Sequence, residues 1–134
     1  MTFVLGADVR HDSQPWGATD WLVNPQAVGS RQLVVAQIII ESGKGHSFHL
    51  HPTQEEVLVI LEGHLEQWVE NVCQELGPGE AVHIPPNVVH ASFNHTSSPV
   101  RALVALGPCV GDADGYEQVD KSEEEPWKSL LPIR

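Results

Sequence analysis

Two short segments of this chain, both framed by turn-forming residues, carry side chains suited to meet at one point. The first reads Gly43, five residues, His49-Leu50-His51, four residues, Glu56, six residues, Gly63. The second reads Gly79, five residues, Pro85-Pro86-Asn87, two residues, His90, three residues, Asn94. Side chains alternate faces along a strand, so His49 and His51 point to one side. A turn through Pro52-Thr53-Gln54 lets Glu56 return beside them. Chain segments that must converge in this way are constrained to short strands joined by tight turns.

The remaining sequence agrees. Leu33 to Ile40 is rich in β-branched residues and almost continuously apolar, as expected of a strand covered on both faces. Leu65 to Val69 and Val72 to Leu76 flank Glu70-Asn71, which has the length of a two-residue hairpin loop. Ala81 to Ile84, His90 to Phe93 and Val100 to Leu106 read as further strands. Short strands with turn signals between them predict an all-β sandwich or barrel. The first thirty residues are broken by Gly6, Pro15, Gly17, Pro25 and Gly29 and read as an arm with one short strand near Thr19 to Val23. After Gly107-Pro108 the sequence turns acidic and irregular, with Trp127, Leu130 and Leu131 available to pack on the outside. The expected organisation is one domain over 1–134, with an arm at 1–31, a barrel core at about 32–107 and an acidic tail at 108–134.

The stretches GKGHSFHLHPTQEEVLVILEG and GEAVHIPPNVVHASFN resemble the two signature motifs of the cupin superfamily, in its small single-domain, conserved-barrel form, and the likeness runs from Gly43 to Asn94. The resemblance implies a double-stranded β-helix, or jelly-roll barrel, with a metal ion inside held by His49, His51, Glu56 and His90. It also implies a homodimer, in which Trp16 and Trp21 of the arm would find cover on a neighbouring subunit. The sequence departs from the family pattern at Asn87, where the family has Gly. Asn is the non-glycine residue that best tolerates left-handed backbone angles, so the turn is expected to survive.

Charge restricts the partners. The chain has 7 Lys+Arg against 18 Asp+Glu, a formal charge of -11, which repels phosphate backbones and anionic membrane surfaces. No segment approaches the ~20 apolar residues of a membrane span. Cys73 and Cys109 lie in no metal-type spacing and read as free thiols. With no secretory pattern at the N-terminus, a cytoplasmic location is expected.

Nitrogen and oxygen donors suit one divalent transition metal ion, Mn, Fe, Co, Ni, Cu or Zn, rather than Ca or Mg. Around an octahedral ion, three imidazoles and a carboxylate leave two positions open for water, dioxygen or a bidentate ligand. Glu55 is a rival to Glu56, but strand parity puts Glu56 with Leu58 and Ile60 and turns Glu55 to solvent. Gln37, Leu58 and Ile60 are candidate pocket residues; Gln37, polar within an apolar strand, reads equally as a cavity residue or as a backbone partner. His11, His46, His64 and His95 fall outside the motifs and receive no role. No nucleophile stands at a recognisable spacing from a base, and no catalytic residue is assigned.

The family resemblance implies a range of activities: dioxygenases, isomerases, decarboxylases and lyases, beside members that only bind ligands. The sole tyrosine, Tyr116, falls beyond the barrel strands, so lyases that use a pocket tyrosine as base find no counterpart in the sequence. Lys44 and Arg101 are the only cations between Leu33 and Leu106, which disfavours phosphosugar isomerases. The expectation is a small-molecule site of dioxygenase type for an aromatic or enolic compound. The alternatives are a sensor or storage protein without catalysis, or a metal-dependent isomerase, decarboxylase or lyase.

Overall fold

In the computed structural model, which describes residues 2–132, the strands form two antiparallel sheets. Numbered in chain order, the first sheet runs β1 (Arg10–Gln14), β2 (Gly17–Val23), β3 (Val34–Ile40), β10 (Val100–Gly107), β5 (Glu55–Glu62) and β8 (Ala81–Ile84). The second runs β11 (Val119–Asp120), β4 (Gly45–Leu50), β9 (His90–Phe93), β6 (Leu65–Val69) and β7 (Val72–Leu76). Two four-residue helices, α1 (Pro25–Val28) and α2 (Trp127–Leu130), lie outside the sheets. The chain is thus the double-stranded β-helix that the sequence predicts.

Alternation explains how the sheets enclose a core. On β5, buried Glu56, Leu58 and Ile60 alternate with exposed Glu55, Val57 and half-exposed Val59. Leu58 and Ile60 join Trp16, Ile40, Leu65, Leu76, Val100 and Ala102 in a cluster between the sheets. The expectation that β3 is covered on both faces holds only in part. Val34, Ala36 and Ile40 are buried, while Val35, Gln37 and Ile39 are half-buried on the other face.

The N-terminal stretch contains more strand than its sequence suggests. β1 and β2 form a hairpin with Gln14 opposite Gly17, and β2 continues the sheet by pairing with β3. β1 has no apolar residue to reveal it; its sequence is Arg-His-Asp-Ser-Gln. Trp16 and Trp21 are 9% and 6% exposed, covered by their own chain, so neither needs a neighbouring subunit.

At the other end, α2 lays Trp127 and Leu130, with Leu131, against Phe48, Leu50, Val89, Ala91 and Phe93 on the outer face of the second sheet. The tail packs there as expected. It also contributes β11, which pairs with Leu50 and His49 of β4.

Two turns carry non-glycine residues in the left-handed conformation. Glu70 takes φ 54° in the β6–β7 hairpin, whose registers pair Val69 with Val72. Asn87 takes φ 64°, the left-handed conformation expected of it, and its backbone N–H donates to the His51 carbonyl at 2.8 Å. That bond ties the second segment directly to the first.

Candidate metal centre

The register of β4 against β9 sets His49 opposite His90, and His51 follows directly after β4. One ring nitrogen from each of His49, His51 and His90 lies within 4.8 Å of the others, a cluster that could hold a metal ion. Glu56 enters from β5: its Oε1 is 3.0 Å from His51 Nε2 and 3.4 Å from His90 Nε2. All four side chains are buried. The structure therefore brings together every residue of the expected ligand set.

Backbone carbonyls hold the three rings in one tautomer. His49 Nδ1 lies 2.6 Å from the Ser47 carbonyl, His51 Nδ1 2.9 Å from that of Glu117, and His90 Nδ1 3.0 Å from that of Val88. A carbonyl oxygen only accepts, so each Nδ1 carries the hydrogen and a neutral ring turns its Nε2 lone pair inward. His90 Nε2 is buried and without a hydrogen-bond partner. Buried nitrogens of this kind are costly unless something positive meets them. A divalent ion satisfies this requirement, and the three-nitrogen, one-oxygen donor set fits a transition metal.

The electrostatics point the same way. Burial raises the Glu56 carboxyl, but the His51 hydrogen bond and the His90 imidazole 3.4 Å away outweigh it and bring its pKa down to about 2. Burial lowers His51, yet the Glu56 hydrogen bond and charge and the Glu117 carbonyl leave it raised. His49 is held well below its ordinary value by burial, with neighbouring His46 and His90 adding to the effect. Metal binding takes the neutral imidazole, so a proton on His51 Nε2 would compete with the metal for the same lone pair.

A fourth imidazole was not expected here. Between His46 and His49 the β4–β9 register shifts by one residue, His46 facing Ser92 while His49 faces His90. The bulge inverts strand parity, so residues three apart share a face. His46 stacks on His49 at 4.0 Å and on Trp16 at 5.1 Å, and burial brings its pKa down to about 4. Because His46 sits an odd number of residues from His49, alternation alone assigns it to the wrong side. No simple sequence signal marks the bulge.

Beside the four residues lies a cavity of about 410 Å³, walled by Trp16, Trp21, Val34, Ala36, Ile38, Leu58, Val104 and Tyr116. No lysine or arginine is among its lining residues. Of the expected pocket residues, Leu58 lines the cavity, whereas Ile60 is packed in the core cluster. Gln37 is placed elsewhere: Val34, Ala36 and Ile38 take the cavity face of β3, leaving Gln37 on the opposite one, where its amide oxygen accepts from the Arg101 guanidinium. Glu55 is exposed and pairs with His83, in keeping with parity. His11 and His95 pair with Asp20 and Glu66 away from the centre.

Tyr116 overturns the sequence-based expectation. Although it lies beyond the main barrel strands, the tail returns and places its ring 5.6 Å from Trp21 and 6.2 Å from His51, in the cavity wall. Burial, with Asp114 and Asp12 nearby, raises its pKa, so the hydroxyl stays protonated.

The sequence profile of the Cupin domain family matches residues 36–106. Protein SchB of Streptomyces halstedii is 25% identical over 118 residues, covering 87% of this chain and 86% of that protein. The tetracenomycin polyketide synthase protein TcmJ of Streptomyces glaucescens is 26% identical over 92 residues, covering 69% of this chain and 62% of that protein. Among solved structures, the DMSP lyase DddQ of Ruegeria pomeroyi superposes with a TM-score of 0.68 at 27% identity, covering 89% of this chain and 64% of the lyase.

Proposed function

Since the chain belongs to the cupin domain family, we propose that it holds one divalent transition metal through His49, His51, Glu56 and His90 and acts as a dioxygenase on a small aromatic or enolic compound. The observation that carries the metal part is the shared tautomer of the three histidines, with each Nδ1 committed to a carbonyl. When bound, such a metal supplies Lewis acidity and open positions for a substrate oxygen and dioxygen. The protein's own contribution is containment. Trp16, Trp21, Leu58 and Val104 exclude water, and flat aromatic walls favour a planar ligand. With no lysine or arginine in the lining, the second carboxylate of a dicarboxylate would enter without a side-chain counter-charge, whereas an enol or phenol enters neutral. The relative named as a polyketide synthase protein supports this class, because polyketide chains are rich in enolisable carbonyls.

A lyase reading has two observations in its favour: Tyr116 lines the cavity, and a DMSP lyase is among the similar structures. Burial raises the Tyr116 pKa and leaves little tyrosinate to act as a base, so the dioxygenase reading is preferred. Oxygen uptake by Fe- and Mn-loaded protein with a catechol and flavonol panel tests the choice. Turnover only in air supports the dioxygenase; equal turnover under nitrogen supports a lyase or isomerase. Ligand binding without turnover supports a sensor or storage role.

The same proposal places the protein in the cytoplasm as a homodimer. The free thiols of Cys73 and Cys109 support the first, and exposed Val57 and Leu61 on the outer face of the six-stranded sheet support the second. Among the described residues no helix is long and apolar enough to cross a membrane.

A further inference from the structure

Gln54 is 1% exposed, lies between two members of the ligand set in sequence, and has no part in the metal centre itself. Its amide is almost fully used. Nε2 donates to the carbonyls of Pro108 and Gly115, both at 2.8 Å, and Oε1 accepts from the Glu117 N–H at 3.0 Å. All three partners belong to the segment between β10 and β11, which has no strand or helix of its own. The next polar group along, the Glu117 carbonyl, accepts from His51 Nδ1 at 2.9 Å. Between Gly115 and Glu117 stands Tyr116, whose ring lines the cavity and stacks on Trp21.

Gln54 and His51 thus grip consecutive peptide groups of one segment from neighbouring positions of another. Gly115 shows how closely that segment is seated: it has φ 82°, and a Cβ there would come within 2.6 Å of Pro25 and 2.9 Å of Val34. The geometry points to Gln54 as a positioning residue that sets both the acceptor for His51 and the aromatic wall made by Tyr116. This inference rests on the metal-binding reading of the site. Its logic is that a metal-bound imidazole is oriented through its other nitrogen, so an acceptor on an irregular segment orients the ring only if the segment is itself held. Among the described residues, no other side chain bonds both ends of this segment.

Gln54→Glu keeps the shape and the acceptor for Glu117 but sets a carboxylate against two carbonyls. Gln54→Met keeps the volume and removes all three bonds, and serves where the first variant does not fold. Cobalt(II) titration read by the visible spectrum, with circular dichroism to establish folding, is the test. A folded variant should bind cobalt about 10- to 100-fold more weakly, with shifted ligand-field bands. In metal-free protein, protease should cut between 108 and 118 faster than in wild type. Arg10→Ala unties the same segment at Asp114, where the ion pair is 2.6 Å, and should leave the cobalt spectrum unchanged. A folded Gln54 variant with wild-type cobalt affinity and spectrum overturns the inference, as does an Arg10→Ala protein that reproduces the loss. Failure of wild type to bind cobalt would instead sink the metal reading; cleavage of the metal-free proteins then decides on Gln54 alone, equal rates counting against it.

Discussion

The rings of His46 and His49 lie stacked, centroids 4.0 Å apart and planes 14° from parallel, although the two residues stand three positions apart on one strand. The β-bulge between them makes this contact possible, and Trp16 completes the stack from the far side. His46 therefore buttresses a candidate ligand without belonging to the ligand set.

His46→Ala should open a gap between Trp16 and His49, lowering stability by about 1–2 kcal/mol and loosening metal binding. His46→Phe keeps a flat ring in the stack and should restore most of both. Urea midpoints and metal titrations of the two variants measure this; an Ala variant equal to wild type would remove the buttress from the account.

Acid should weaken the metal-free protein first through its histidines. His46, down to about 4, and His49, well below 6.5, are easier to protonate in the unfolded chain. Each contribution is complete above pH ~6.5; that of His46 is lost as pH falls through about 4, and that of His49 is lost well below 6.5. Glu56, depressed to about 2, adds a second loss that begins only below pH ~4.5. His51 has the opposite sign: its pKa is raised, so its contribution is present below 6.5 and lost as pH rises above that. The urea midpoint of metal-free protein should fall between pH 6.5 and 4.5, before carboxylates titrate. A flat midpoint over that interval would contradict the burial assigned to His46 and His49.

Adjacent glutamates should behave oppositely. Glu55→Gln removes an exposed pair with His83 and should shift stability by no more than about 0.5 kcal/mol, leaving metal content unchanged. Glu56→Gln takes the charge from a buried position facing His51 and His90 and should sharply reduce metal content. Elemental analysis of the two variants compares them directly; equal retention would transfer the carboxylate's role away from Glu56.

Phe48 and Phe93 are fully buried beneath Trp68 and the α2 segment. Phe48→Ala should cost about 3–5 kcal/mol, because the sheets leave little room to collapse into the void. Denaturant unfolding monitored by tryptophan fluorescence gives the number, and a loss under 1 kcal/mol would mean that the tail does not cap this cluster in solution.

The parts of this molecule legible in its sequence are those that obey strand periodicity. His49, His51 and Glu56 could be placed because alternation and turn residues fix their faces, and Asn87 because its turn demands a left-handed residue. The illegible parts break that rule or depend on contacts far along the chain. His46 is hidden by a bulge, β1 by the lack of any apolar residue, and Tyr116 by a tail whose return depends on Gln54. Gln37 misled for a related reason: a polar residue in an apolar strand has two faces available, and the Arg101 guanidinium on the neighbouring strand decided between them.

The central claim is that His49, His51, Glu56 and His90 hold one metal ion, and the most direct test is elemental analysis of protein purified without chelator or added metal. Wild type should contain close to one equivalent of a single transition metal, and a His49→Ala/His51→Ala variant that still folds should contain almost none. Equal metal in the two proteins would contradict the account.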